Sequence, residues 1–211
     1  MSVSRSDAEP FDAEHVPVSA QFIRSLPWDD GRGTGGMWLF ILSEVMVFAG
    51  LFFAYFYLGA NAARWPPDRA PHITLPVLIL AILLLSCAVL EWGRRALRSG
   101  QRGSARTALL VALIAAACYV GLEMASLQDS LRSLKPWQDS YSSIYYTILG
   151  VHAGHLVLGM LVLAYVLLLP LEPTTAPPHR PYTNSALYWY FSTLAWLAIV
   201  CLLYLPPHFA R

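Results

Sequence analysis

The chain has 211 residues, of which 56% are apolar and 13% charged, about half the roughly 25% charged residues of a soluble domain. Lys and Arg number 14 against 13 Asp and Glu, for a formal charge of +1, and the mean hydropathy is +0.49. These values exclude a disordered chain, a collagen-like chain and a nucleic-acid binder that works by net positive charge, and they point to a membrane.

Residues 1–36 differ from the rest. They carry Asp7, Glu9, Asp12, Glu14, Asp29 and Asp30, and Gly31, Gly33, Gly35 and Gly36 lead into the first apolar run. No apolar signal core stands near the start, so no cleaved signal peptide is expected. The composition reads as a mobile or surface-lying arm.

A helix needs about 20 predominantly apolar residues to cross a bilayer core. Five runs qualify: Met37–Leu58, Ile73–Leu90, Thr107–Leu127, Ile144–Leu169 and Ser185–Leu205. Inside them lie two acids, Glu44 and Glu123, and no Lys or Arg. Lipid offers no water to unpaired backbone groups, and barrel-type alternation is absent, so the runs are expected to be helical. The breaks agree: Trp65-Pro66-Pro67 closes the first run, and Pro170, Pro173, Pro177, Pro178 and Pro181 fill the fourth connection. Pro76 falls in the first turn of the second helix, where its missing N–H matters little. The expected fold is all-α, a polytopic membrane protein with five transmembrane helices over residues 37–205 and a short tail at 206–211.

Charge sets the expected orientation. Arg94, Arg95, Arg98, Arg102 and Arg106 crowd the connection after the second run, with Glu91 as the nearby acid. Lys and Arg collect on the cytoplasmic side of short loops. Placing this connection inside puts nine basic residues in and five out, with the N-terminus cytoplasmic and the C-terminus periplasmic. Anionic lipid or a partner is a second use for the same arginines. Cys87, Cys118 and Cys201 fall in three different runs without metal-ligand spacing and read as small buried hydrophobes. Trp38, Trp65, Trp92, Trp137 and Trp189 are placed near run ends, as interfacial anchors should be.

An acid deep in a membrane helix costs about 2.5–3.5 kcal/mol on insertion scales, so each needs a reason. Counting about 1.5 Å per residue from opposite ends puts Glu44 of the first helix at the depth of His152 and His155 of the fourth. A hydrogen bond between the two helices is allowed, and Ser43 is a further donor beside Glu44. His152 and His155 share a helix face. The set suits a proton relay, a metal or haem site, or a polar brace, with the brace as the default. Against a metal or bis-His haem, no soft ligand accompanies the pair, and His15, His72, His179 and His208 lie in connections or tails. Gly150 and Gly154 form a GxxxG element, which with Gly159 allows close helix approach. Glu123, near the end of its run, is expected to snorkel or to meet Arg132 or Lys135.

Two segments together carry a resemblance. Gly35–Phe56 reads GGMWLFILSEVMVFAGLFFAYF and Tyr145–Gly159 reads YYTILGVHAGHLVLG. They resemble subunit III of the haem–copper oxidases, with its Ser-Glu-Val-Met acid (Ser43–Met46) and its Gly-x-His-x-x-His-x-x-x-Gly element (Gly150, His152, His155, Gly159). The five-helix count is similar to the short bacterial form. The fifth helix departs from the family's YWHFVDxVW: Tyr190 stands at the His and Thr193 at the Asp.

The resemblance implies a non-redox accessory subunit of a terminal oxidase in a bacterial inner membrane, catalysing nothing alone. Haem and copper would sit in partner subunits I and II. This chain would pack on subunit I, hold structural phospholipid in a cleft separating helices 1 and 2 from helices 3–5, and support proton uptake, with Glu44, His152 and His155 forming or flanking the polar site between helices. The alternatives are a subunit III homologue associated with nitric oxide reductase, a stand-alone proton or small-ion transporter, and a haem-binding membrane cytochrome. The topology is open to direct test: alkaline phosphatase fused after Arg211 should be active and a fusion at Gly100 inactive, and the reverse pattern would invert the assignment.

Overall fold

The computed structural model describes residues 32–63, 65, 73–133, 135–169 and 179–205. Five α-helices follow in order: α1 (Arg32–Ala60), α2 (Thr74–Arg98), α3 (Arg102–Ser133), α4 (Ser140–Leu168) and α5 (His179–Ile199), with a π-helical turn at Val200–Tyr204. All five spans are long and apolar enough to cross a membrane, and no strand occurs among the described residues. The expected arm lies outside them as far as residue 31, as does the tail at 206–211; residues 32–36 belong to α1.

The helices overrun their apolar runs. α2 continues eight residues past Leu90 and α3 starts five before Thr107, so the arginine block is helical and the connection shrinks to Ser99, Gly100 and Gln101. Arg is a good helix former, and a fall in hydropathy marks where lipid ends, not where a helix ends. The stop comes from Gly100 at φ 81°. The Gln101 N–H reaches Ala96 O at 2.9 Å and the Gly100 N–H reaches Leu97 O at 3.1 Å, a Schellman closure that favours glycine. At α4, Asp139 caps the helix by accepting from the Ser142 N–H at 2.7 Å, five residues ahead of Ile144.

α5 is the centre. More than half of its spanning window, 56%, is buried, against 17% for α1. Two tryptophans tie it to α2: Trp189 Nε1 donates to Ser86 Oγ at 2.8 Å and Trp196 Nε1 to Pro76 O at 3.1 Å. Trp189 is therefore no interfacial anchor. α5 begins at His179, which places Trp189 well inside the helix, whereas Trp38, Trp92 and Trp137 do face outward. Cys118 and Cys201 are also on the outer surface, and Cys87 is partly buried with its thiol 3.2 Å from Thr193 Oγ1.

α1 is peripheral and packs on α5 and α4. Its inner residues are Met37, Ile41, Glu44, Phe48, Leu51, Tyr55 and Leu58, in alternating steps of four and three that define a packing seam. α2 packs on α3 and α5 instead. The expected cleft dividing helices 1 and 2 from helices 3–5 is thus corrected, because α2 belongs to the α3–α5 side. Gly93 sets the α2–α3 approach: a Cβ there would collide with Ala108 Cβ and the Tyr182 hydroxyl. Gly93→Ala should lower the unfolding midpoint in detergent by the equivalent of about 1–3 kcal/mol, whereas Gly154→Ala, with open space around it, should leave it unchanged.

Candidate functional site

Glu44 occupies the α1 seam, and His155 projects from α4 to meet it: Nε2 lies 2.6 Å from Glu44 Oε2. Both side chains are largely covered, at 19% and 13% exposure respectively. The ring is held from several directions. His155 Nδ1 lies 2.7 Å from Val151 O, Phe48 packs at 5.1 Å between ring centroids, and the Tyr188 hydroxyl donates to His155 O at 3.0 Å.

The proton count at this pair follows from its partners. A carbonyl only accepts, so Nδ1 carries a hydrogen and donates to Val151 O. The short Nε2–Oε2 contact then holds one further proton. Either a neutral carboxylic acid donates to a neutral imidazole, or an imidazolium donates to a carboxylate. The pair is net neutral in both arrangements, and that neutrality is what lets an acid and a base share a largely covered seam between two membrane helices. Its chemical capacity is to hold one proton that can pass between oxygen and nitrogen.

His152 takes a different position. It is fully buried, with Nε2 3.1 Å from Ser192 O and Nδ1 3.0 Å from the Tyr119 hydroxyl. Nε2 donates to the carbonyl, and Nδ1 accepts from Tyr119. Trp196 covers the ring at 4.9 Å. The structure therefore brings Glu44 and His155 together and turns His152 into the α3–α4–α5 interior. Ser43 stays apart, bonding Phe40 O on its own helix at 2.7 Å. Gly150 and Gly154 meet nothing among the described residues within 4 Å of a Cβ position, so this GxxxG face packs against none of the five described helices; Gly159 does pack, with the Trp189 ring 3.1 Å away.

Other expectations are corrected. Glu123 neither snorkels nor meets Lys135: it is 2% exposed, and neither carboxyl oxygen has a hydrogen-bond partner among the described residues. The cause is rotation, since Glu123 sits on the inner face of α3 one turn after buried Tyr119. The Arg132 side chain lies outside the described residues. Sequence reasoning passed over Tyr119, whose i, i+4 spacing to Glu123 was the available signal, and Tyr188 and Phe48, which carried none in an apolar background.

At the departures in α5, Tyr190 donates to Glu91 Oε2 at 3.3 Å, and Thr193 donates to Trp189 O at 3.0 Å. Glu91 also accepts two 2.7 Å bonds from Arg94 and one of 3.0 Å from Arg95. Among the described residues no group of three or more His, Cys, Asp and Glu could hold a metal ion. An open hollow lined by Leu58, Trp137, Asp139, Ser143 and Thr147 lies at the far end of α1, about 20 Å along the helix from Glu44.

Spanning helices arranged around α5, with an acid–imidazole pair set in the seam between α1 and α4, define a multi-pass helical membrane protein. The sequence model of the family "Cytochrome c oxidase subunit III" matches residues 30–207, and the chain belongs to that family. It is 28% identical to the cytochrome c oxidase subunit 3 of Mus musculus over 203 residues, covering 92% of this chain and 73% of the relative. It is 28% identical to that of Prototheca wickerhamii over 179 residues, covering 80% and 68%. The subunit 3 of Lycodon semicarinatus is 27% identical over 178 residues, covering 80% and 67%.

A double-mutant cycle with Glu44→Leu and His155→Leu should return a coupling of about 0.6–1.7 kcal/mol, the range for hydrogen bonds between membrane helices, when unfolding is followed in detergent. Additive effects would mean that the two side chains do not bond.

Proposed function

We propose that the chain is a non-redox accessory subunit of a terminal haem–copper oxidase, which reduces oxygen to water in aerobic respiration. It packs on subunit I, while haem and copper reside in subunits I and II. The seat of the complex is a bacterial inner membrane, and structural phospholipid lies against its helices. The Glu44–His155 bond of 2.6 Å is the observation that carries this reading. It joins the two segments on which the family resemblance rests, and it holds an exchangeable proton near the lipid-facing side of the bundle.

Two roles follow for the pair. It braces α1, which packs only on α4 and α5 among the principal contacts, and it presents a proton-holding group beside the route by which the oxidase takes up protons. His152 has a supporting part: with both ring nitrogens satisfied, it orients the α4 face from which His155 projects. Tyr190 stands where the family pattern has its His and donates to Glu91, which Arg94 and Arg95 hold, so any role of that His is replaced here by a phenol tied to an ion pair.

The affinity-purified chain should bring haem-bearing subunits with it. Glu44→Gln or His155→Ala should shorten sustained turnover, or loosen the complex, while the haem absorbance per complex stays at the wild-type value. Loss of haem from an intact complex in either variant would overturn the accessory role, and proton transport by the isolated chain in vesicles would replace it with a transporter.

A further inference from the structure

The bundle interior holds a second acid that the Glu44–His155 pair does not use. Glu123 is buried on α3, and neither of its oxygens has a hydrogen-bond partner among the described residues. The groups facing it come from each element packed there: Tyr119 on α3, Tyr145 on α4 and Tyr204 in the π-helical turn, all within electrostatic reach of the carboxyl. Tyr145 and Tyr204 are bonded to each other at 2.9 Å. Tyr119 stands one helical turn before Glu123 on the same face of α3, within electrostatic reach of its carboxyl. These facing groups are phenols, with no Lys, Arg or second carboxyl among them.

The hydrogen inventory then becomes decisive. His152 Nε2 donates to Ser192 O, so Nδ1 accepts, and the single Tyr119 proton is committed to it. The Tyr119 oxygen can take part in another bond only as an acceptor. A carboxylate has no hydrogen to offer it, and a carboxylate left without donors in a dry interior is strongly disfavoured. A carboxylic acid offers one, and the i, i+4 spacing sets Glu123 beside that oxygen on the same helix face.

We propose that Glu123 is a proton-carrying acid of the bundle interior, coupled to His152 through the Tyr119 hydroxyl and shielded from lipid by α3, α4 and α5. Transfer along the three groups balances. The Glu123 O–H bond breaks as a bond to the Tyr119 oxygen forms, and the original Tyr119 proton passes to His152 Nδ1. A carboxylate and an imidazolium then flank an intact phenol, and the reverse step restores the neutral set. The unit shares no residue with the Glu44–His155 pair and does not depend on its role.

Infrared difference spectroscopy on the detergent-solubilised full chain, together with whatever subunits accompany it, tests this. Wild type minus E123Q should show the C=O stretch of a protonated carboxylic acid, shifted to lower wavenumber in D2O and still present in an E44Q background. Loss of carboxylate stretches instead would overturn the proposal. Y119F removes the acceptor and should move the same band to higher wavenumber; an unmoved band would overturn the coupling to His152. If E123Q does not accumulate, protein labelled with ¹³C-glutamate reads the band directly in wild type and Y119F, and absence of a glutamic-acid C=O band that responds to Y119F would overturn the proposal.

Discussion

A polar group inside a bilayer cannot turn to water, so one left without a partner in the protein is costly. This one constraint accounts for where the chain places its hydrogen bonds. The indoles of Trp189 and Trp196 reach Ser86 and Pro76 O, the Tyr182 hydroxyl reaches Leu90 O, and His152 is satisfied on both ring nitrogens. Four of these bonds involve α5, and three join it to α2. The central helix is therefore held by directed contacts as well as by packing, which matters where lipid tails compete with apolar side chains on equal terms.

The same constraint gives α1 its means of attachment. Its outward face, with Leu39, Met46 and Phe53, would sit as well in lipid as against protein. What distinguishes the inner face is the seam from Met37 to Leu58, with Glu44 in its first half. The His155 contact gives the helix a register as well as an affinity: slipping α1 by one residue would turn the acid by about 100° and leave both groups unpaired. Gly33 O, bonded from Asn184 Nδ2 at 3.1 Å, holds the start of the helix to α5 in the same way.

Much of the fold was legible from composition along the chain, because the property that defines a membrane span is one-dimensional. Apolar runs located all five helices, and the matched depths of Glu44 and His155 anticipated that they could meet. Helix ends were less legible, since Arg94 to Arg106 end the apolar run without ending the helices. The direction each side chain faces was legible least. In an almost wholly apolar helix there is no polar face to mark the outside, so nothing distinguished buried Trp189 from exposed Trp92, or inward Glu123 from an acid reaching to the interface. The GxxxG element misled for the same reason: Gly150 and Gly154 permit close approach, but none of the five described helices takes it up.

By itself, then, the sequence determined that the chain is a five-span helical membrane protein and which few polar residues lie deep in it, because hydropathy and depth accumulate along the chain. Only the tertiary structure decided which helices are neighbours and how each is rotated, because those depend on side chains far apart in sequence meeting in three dimensions. That decision separated His152 from His155, assigned one to the interior and the other to Glu44, and enclosed Glu123 among three phenols.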